Sequence, residues 1–345
     1  MGVDLGDLAV GKSVPLEQLS GKKFAVDAFN NIYQFLSSIR QPDGTPLMDS
    51  KGRVTSHLTG LFYRNTNLLE RGIKPIYVFD GKPPEFKRRT VAERSAIKEE
   101  ATDRWKAALA SGNMEDARKF ASATSRFTAE MIEESKQLLS AMGIPVIQAP
   151  SEGEAQASQI VAEREAYAVA SQDFDCLLFG APLLLRNLNI TGKRKVPRKN
   201  ITIDIEPELI SLPDVLSNND LNRSQLIWMG ILSGTDFNSG IKGIGPKKAL
   251  KIAWACKDIN QVVEYCRNQL KYEFEEDPAE VEKFFLHPPV EHGIKPKFGT
   301  VSKEKIIKLL CDEHDFSSER VGKTVDALSK KMNEKGEQTG LSQWA

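Results

Sequence analysis

The sequence is poor in cysteine, in histidine and in long apolar runs. Its four cysteines, Cys176, Cys256, Cys266 and Cys311, lie far apart and form no C-x-x-C pair. They read as reduced, buried thiols of a cytosolic or nuclear compartment, which excludes a disulfide framework. The four histidines, His57, His287, His292 and His314, show no zinc spacing with one another or with cysteine, so a zinc site is not expected. No apolar run approaches the ~20 residues that cross a bilayer, which argues against a membrane-spanning protein. The opening Met1-Gly2-Val3-Asp4-Leu5-Gly6 lacks the basic start and apolar core of a secretory signal, and has Gly6 where a myristoylation signal needs Ser or Thr. Net charge is missing too, since 47 basic residues balance 47 acidic ones. Internal repeats and low-complexity tracts are also absent.

What is present is a chain of 345 residues with ordinary globular composition, enough for one large α/β domain or a domain with appendages. The zero net charge hides an uneven distribution. Lys82, Lys87, Arg88, Arg89 and Arg94 face only Glu85 and Glu93 within one segment, Lys193–Arg198 holds four bases and no acid, and Lys242, Lys247, Lys248 and Lys251 form a third cluster. Any one of these alone is an ordinary solvated face. Basic surfaces around an acidic pocket, however, suit a phosphodiester substrate with metal ions in the middle.

Short apolar runs alternate with amphipathic stretches, which predicts an α/β fold with a mostly parallel central sheet flanked by helices. Phe24-Ala25-Val26 reads as a strand ending at Asp27. A helix follows, with Leu58, Leu61, Phe62, Asn65, Leu68 and Leu69 on one face and a stop at Gly72. Ile76–Phe79 reads as a strand ending at Asp80, and Ile144–Ala149 as one running into Glu152-Gly153-Glu154 at the start of a helix. Tyr167–Ala170 is a strand that leads into Ser171-Gln172-Asp173-Phe174-Asp175. Acids thus recur just after strand C-termini, the edge where open α/β sheets bind ligands. One such Asp is a common turn or cap; four stations in succession favour convergence. Glu85–Thr128 is charged and helical in propensity, with a break at Ser111-Gly112-Asn113, and reads as a helical excursion outside the sheet. The chain after Asp236 reads as a helical region, with Lys330–Glu337 a polar tail.

Carboxylates without histidine suit hard cations such as Mg²⁺. Two such ions ~4 Å apart activate a water and stabilise the leaving oxygen of a phosphodiester. Asp27, Asp80, Glu152, Glu154, Asp173, Asp175 and Asp236 are about the number two ions require. Metal-free, their mutual repulsion should raise their pKa values. Other readings stay open at single motifs. Ser151–Glu154 also matches a capping box, and Asp173-Phe174-Asp175 a D-x-D phosphatase, although that accounts for none of the other acids. Gly240–Lys248 misses the P-loop pattern, because Pro246 separates Gly245 from Lys247 and no Ser or Thr follows. A helix–hairpin–helix fits better, with Lys242, Gly243, Gly245, Lys247 and Lys248 on the DNA backbone. Lys87 and Arg94 are seven apart, two helical turns, and could place charge over a scissile phosphate. Tyr33 could stack on a base; an aromatic so close to Phe29 is otherwise core.

Taken together, Met1-Gly2-Val3, Val26-Asp27-Ala28, Asn31–Leu36, Thr55–Leu58, Gly72–Pro84, Met142–Pro145, Ala149–Ala155, Ser171–Asp175, Leu232–Asp236 and Gly243–Lys247 closely resemble the flap endonuclease family over essentially the whole chain. The resemblance implies a structure-specific 5′-flap endonuclease with 5′–3′ exonuclease activity, acting in Okazaki-fragment maturation and base excision repair. It implies that the seven acids hold two Mg²⁺ ions, with Mn²⁺ as a substitute. Lys87 and Arg94 would assist the scissile phosphate at the base of a helical arch, about 85–128, that admits the flap. Tyr33 would stack near the unpaired nucleotide, and the turn around Ile241 and Ile244 would bind duplex and hold a K⁺ ion. The implied layout is a nuclease unit over 1–328, with an N-terminal region 1–98, an internal region 140–260 and the hairpin at about 226–256, then a tail over 329–345. In that tail Gln338, Leu341 and Trp344 match a motif for a sliding clamp of the proliferating-cell-nuclear-antigen type. Ala345 replaces the last aromatic, so clamp binding would be weakened. No basic extension follows the motif, unlike in eukaryotic members, so the chain looks archaeal; the resemblance further implies a monomeric, cytoplasmic, nucleoid-associated protein with no membrane role.

Two competing readings are a sister nuclease of excision repair or recombination, disfavoured by the modest Asp80–Glu152 interval, and a catalytically silent DNA- or clamp-binding scaffold. All seven acids being present disfavours the scaffold. A small-molecule phosphatase would need neither the lysine-rich hairpin nor the tail.

Overall fold

Phe24-Ala25-Val26 and Ile76–Phe79 are continuous apolar runs, the pattern of strands covered on both faces. They form β2 (Lys23–Asp27) and β3 (Lys74–Phe79), paired in parallel with Val26 opposite Tyr77. The computed structural model describes residues 3–87, 99–108, 110–113, 116, 119–120, 124, 127–189, 193–195 and 202–341, without the side chains of 193–195, 202–204 and 333–341. Around β2 and β3 lie β1 (Lys12–Ser13), β4 (Val146–Gln148), β5 (Ala168–Ala170), β6 (Leu183–Arg186) and β9 (Glu208–Ser211), in the order β1-β9-β6-β5-β2-β3-β4. Strands β2 to β6 are mutually parallel; β9 runs antiparallel to β6 and β1 antiparallel to β9. The expected mostly parallel sheet is therefore present, with an antiparallel edge. β7 (Lys193–Lys195) and β8 (Thr202–Asp204) form a separate antiparallel ribbon.

Alternate side chains of each central strand enter different cores. Ala25, Ile76, Val78, Val169 and Leu184 face one, with helices Gly153–Ala162 and Arg223–Ser233. Phe24, Val26, Tyr77, Phe79 and Ala170 face the other, with helices Ala28–Ser38, Ser56–Glu70 and Ala129–Ala141. The helix Ser56–Glu70 buries each apolar position expected of it and stops at Gly72, whose φ of +81° lets its N–H reach the Leu69 carbonyl. Asn65, the polar member of that face, donates to the Leu61 carbonyl and sits 3.0 Å from the Tyr77 hydroxyl, which donates in turn to Asn31 Oδ1. A buried hydroxyl is thereby satisfied.

The segment 85–128 starts in a turn, Glu85–Lys87, is helical over 99–108, and turns at Ser111 and Gly112 where the break was expected. Arg88, Arg89 and Arg94 lie outside the described residues. After Asp236 come helices Pro246–Ala255, Ile259–Tyr265, Pro278–Leu286, Lys303–Ile307 and Ser318–Leu341. The last runs as one helix through the expected tail boundary at 328/329. Val321, Val325 and Leu328 bury its first turns, and residues 329–335, free of proline and glycine, let it propagate. Gln338 and Leu341 fall on this helix, with no side chain described; Trp344 and Ala345 lie outside the described residues. Among the described residues no helix is long and apolar enough to cross a membrane.

A buried polar chain joins residues far apart in the sequence. His57 Nε2 lies 3.1 Å from Glu134, the other Glu134 oxygen lies 3.0 Å from His314 Nε2, and His314 Nδ1 lies 3.1 Å from Asp49. Arg53 pairs with Asp49 at 2.8 Å. Asp49 is pushed up by burial, but the Arg53 and His314 bonds outweigh this and hold its carboxyl at about 2.

Candidate active site

Parallel strands all end at the same edge, so the acids that follow them meet there. Asp27 closes β2, Asp80 follows β3, Glu152 and Glu154 follow β4, and Asp173 and Asp175 follow β5. Asp236 arrives from the other direction, just after the helix Arg223–Ser233. Burial raises the Asp27 carboxyl to about 8, helped by the charges of Asp80 and Asp173. Asp175 is raised to about 7 by burial and Asp236. Glu154 is raised by burial, then by Asp27, Asp173, Asp175 and Asp236. Burial also raises Asp80 and Glu152, and both feel Asp236. All seven acids are therefore one electrostatic unit, in which full ionisation is costly without added positive charge.

Hydrogen-bond donors hold most of these carboxylates. The Val3 N–H donates to Asp175 at 2.6 Å, the Gly153 N–H to Asp80 at 2.7 Å, and the Asn30 N–H to Asp27 at 3.1 Å. Ser171 Oγ donates to Glu154 at 3.1 Å. Asp27 thus doubles as the N-cap of Ala28–Ser38, the local role that makes its function hard to read in isolation. Gly153 has a structural reason to lack a side chain: a Cβ would stand 2.6 Å from Asp80 Oδ1. The capping-box alternative is not realised: the N-cap of the helix Gly153–Ala162 is Glu152, with no side-chain cap bond, and Glu154 accepts from Ser171 instead.

Among the described residues Lys87 is the side-chain cation that pairs with these acids. It hydrogen-bonds Glu152 and lies 3.6 Å from Asp236. Burial opposes its charge, but Glu152, Asp236 and Asp80 outweigh burial and raise its pKa. An aromatic cluster fixes its approach: Phe86 packs edge-on to Phe237 and Phe284 at 5.6 and 5.2 Å. Phe237 directly follows Asp236, so one cluster orients the lysine and an acid it pairs with. Arg94, its expected companion, is outside the described residues.

Tyr33 stacks on Phe127, centroids 5.8 Å apart and 29° between planes. Phe127 precedes Thr128, which caps the helix Ala129–Ala141 by accepting the Met131 N–H. A turn joins the helices Arg223–Ser233 and Pro246–Ala255. The Ile241 N–H donates to Leu232 and the Ile244 N–H to Ile241. Gly243, at φ +83°, turns the chain into Pro246–Ala255, on which Lys247, Lys248 and Lys251 are exposed. Lys242 is exposed as well, and Lys248 Nζ donates to the Gly243 carbonyl at 2.9 Å.

A hard cation fits the chemistry of this donor set, since it is all oxygen, buried and strained by like charge. Among the described residues no three acid, histidine or cysteine side chains already enclose a point at ligand spacing.

Two family models match the chain, the XPG N-terminal domain over residues 5–101 and the XPG I-region over 143–236. The chain is 53% identical to flap endonuclease 1 of Pyrococcus horikoshii over 348 residues, spanning 100% of this chain and 98% of that one. The chain belongs to the flap endonuclease family. It is 49% identical to the Archaeoglobus fulgidus member over its full length. Among solved structures, the flap endonuclease-1 of Methanococcus jannaschii superposes with a TM-score of 0.74 at 39% identity, covering 97% of this chain and 100% of that one. The catalytic core of Rad2 in complex with a DNA substrate superposes with a TM-score of 0.67 at 25% identity, covering 92% and 96%. As a family member the chain is a nuclease acting on DNA phosphodiester bonds. The N-terminal match contains Asp27, Asp80 and Lys87, and the I-region match the other five acids. Sequence reasoning missed Asn30, Ser171 and the Val3 and Gly153 N–H groups. Ser171 sits inside a motif that pointed to the site; backbone donors leave no compositional signal.

Proposed function

We propose that the chain cuts 5′ flaps, with associated 5′–3′ exonuclease activity, by hydrolysis at the seven-acid cluster with two divalent ions. The observation that carries this reading is the convergence of Asp27, Asp80, Glu152, Glu154, Asp173, Asp175 and Asp236 at one sheet edge, where burial and the neighbouring acids raise the carboxyl pKa values of Asp27, Glu154 and Asp175. The bound ions would supply charge neutralisation and Lewis-acid activation at the phosphodiester. The chain's own residues do the rest. The donors on Asp80, Asp175, Asp27 and Glu154 fix each carboxylate before substrate arrives. Lys87 leaves Glu152 and Asp236 for the scissile phosphate, adding positive charge where negative charge develops. Arg94 is assigned the same task from the arch. Tyr33 supplies an aromatic face for a base, and Lys242, Gly243, Gly245, Lys247 and Lys248 hold the duplex backbone without reading sequence. A K⁺ ion at this turn would compete with the Lys248 ammonium for the Gly243 carbonyl. Gln338, Leu341 and Trp344 engage a sliding clamp, weakly because Ala345 lacks the final ring. These steps serve Okazaki-fragment maturation and base excision repair.

The test compares cleavage of 5′-flap, 3′-flap, gapped and blunt duplexes with and without Mg²⁺. Cutting is expected on the 5′ flap and only with the ion. Asp175→Ala and Asp236→Ala should abolish it while flap binding persists; Mg²⁺-dependent cutting by both variants would sink the two-ion assignment.

A further inference from the structure

Asn30 lies on the first turn of Ala28–Ser38 and touches two acids from different strands. Its backbone N–H donates to Asp27 Oδ1 at 3.1 Å, and its side-chain Nδ2 donates to Asp173 Oδ2 at 3.2 Å. Its Oδ1 accepts the Gln172 N–H at 3.4 Å. That third bond settles which way the amide points. Only an oxygen can face the Gln172 N–H, so the NH₂ must face Asp173, and the reverse orientation would set an oxygen against a carboxylate.

Asp27 and Asp173 repel each other, and they follow β2 and β5, which are paired with Val26 opposite Ala170. A lysine between them would satisfy both, but it would also bring a full charge that competes with a divalent ion. A neutral amide holds the carboxylates without that competition. It holds Asp173 through one carboxylate oxygen, Oδ2.

We propose that Asn30 is a positioning residue of the acid cluster, orienting the Asp173 carboxylate and tying it to Asp27 for divalent-ion binding. This rests on the two-ion reading above. The experiment uses Asn30→Leu, similar in size with no hydrogen bonds, and Asn30→Ser, which keeps a polar first turn. Three quantities are read: the Mg²⁺ concentration giving half-maximal 5′-flap cleavage, the rise in melting temperature on adding Mg²⁺ without DNA, and flap affinity in EDTA.

Loss of a hydrogen bond to a charged group should raise the Mg²⁺ requirement of Asn30→Leu by about 10- to 100-fold. The Mg²⁺-induced rise in melting temperature should shrink, and EDTA flap affinity should stay at the wild-type value. Asn30→Ser should shift the same way by less, and it decides the matter if Asn30→Leu does not fold. An unchanged Mg²⁺ requirement and unchanged Mg²⁺ stabilisation in the folded variants, with only a lower melting temperature in EDTA, would reduce Asn30 to a helix-start residue and overturn the proposal. Asp175→Ala separates the two failures. If it keeps Mg²⁺ stabilisation and cleavage, the two-ion reading is wrong; if it loses both while Asn30→Leu loses neither, only the role of Asn30 is wrong.

Discussion

Gly153→Ala should separate the stability of this enzyme from its activity. An added methyl carbon would stand 2.6 Å from Asp80 Oδ1 and 3.3 Å from the Val78 carbonyl oxygen. Ordinary contact begins at 3.4 Å, so the carboxylate must move by about 0.8 Å, a displacement that can cost about 100-fold in rate when it misplaces a reacting group. The bond from the Gly153 N–H, 2.7 Å long, is lost in the same movement. The fold has little to lose, because a single carboxylate can swing aside and alanine favours the helix over glycine by up to ~1 kcal/mol. Single-turnover cleavage of a labelled 5′ flap at saturating Mg²⁺ should therefore slow by about 100-fold, with the melting temperature unchanged or slightly higher. Gly81→Ala is the contrast. Its Cβ would strike the Ala149 carbonyl and the Pro150 backbone, which cannot swing, so stability and activity should fall together. Wild-type cleavage by Gly153→Ala would refute the placement of Asp80 in the reaction, and a collapsed melting temperature would show that Gly153 serves packing instead.

Lys87→Met keeps the aliphatic stem and removes the charge; single-turnover cleavage should slow by about 10²- to 10³-fold, with flap binding in EDTA little changed, and a wild-type rate would contradict its role. Asp27 and Asp175 have folded pKa values of about 8 and about 7, raised by burial and neighbouring acids, so the folded state holds protons that the unfolded chain releases near pH 4. Metal-free protein should consequently lose stability as pH rises from about 4 to about 8, and Mg²⁺ should flatten that slope in thermal melts; a metal-free melting temperature that climbs over this range would contradict the site's electrostatics. Asp49, held at about 2 mainly by Arg53 and His314 against burial, is the opposite case. Its stabilisation is complete above about pH 4 and lost as pH falls to about 2, so Asp49→Asn should melt lower at neutral pH and show a flatter acid limb.

Strand runs and helix faces were legible because burial on both sides of a sheet, and on one side of a helix, leaves a periodic record in the sequence. The seven acids were legible for the same reason, since each follows a readable strand or motif. β6, β9 and the ribbon of β7 and β8 left weaker marks: Leu183-Leu184-Leu185 is too short to tell a strand from a helix by period, and β1 has two residues. The donors that hold the carboxylates were harder still, because a backbone N–H has no residue type. Asn30 looked like any polar residue in a first helical turn, and its contact with Asp173, 143 positions away, depends on the strand order that pairs β2 with β5. The continuation of the last helix past 328 was hidden because Lys330–Glu337 has a single apolar residue, Met332, while the fully buried residues that anchor the helix, Val321, Val325 and Leu328, come before.

That last helix bears on when the molecule can finish folding. The acids are all synthesised by Asp236, yet the core on the Phe24 and Tyr77 face also needs Ile306, Leu309, Leu310, Val321, Val325 and Leu328, and Glu134 finds His314 only then. A chain emerging from the ribosome would carry every candidate catalytic carboxylate while one side of its sheet stayed open to water. Contacts this distant in sequence form late and slowly. One side of the sheet that carries the acids is therefore closed only by residues that follow all seven of them in the chain.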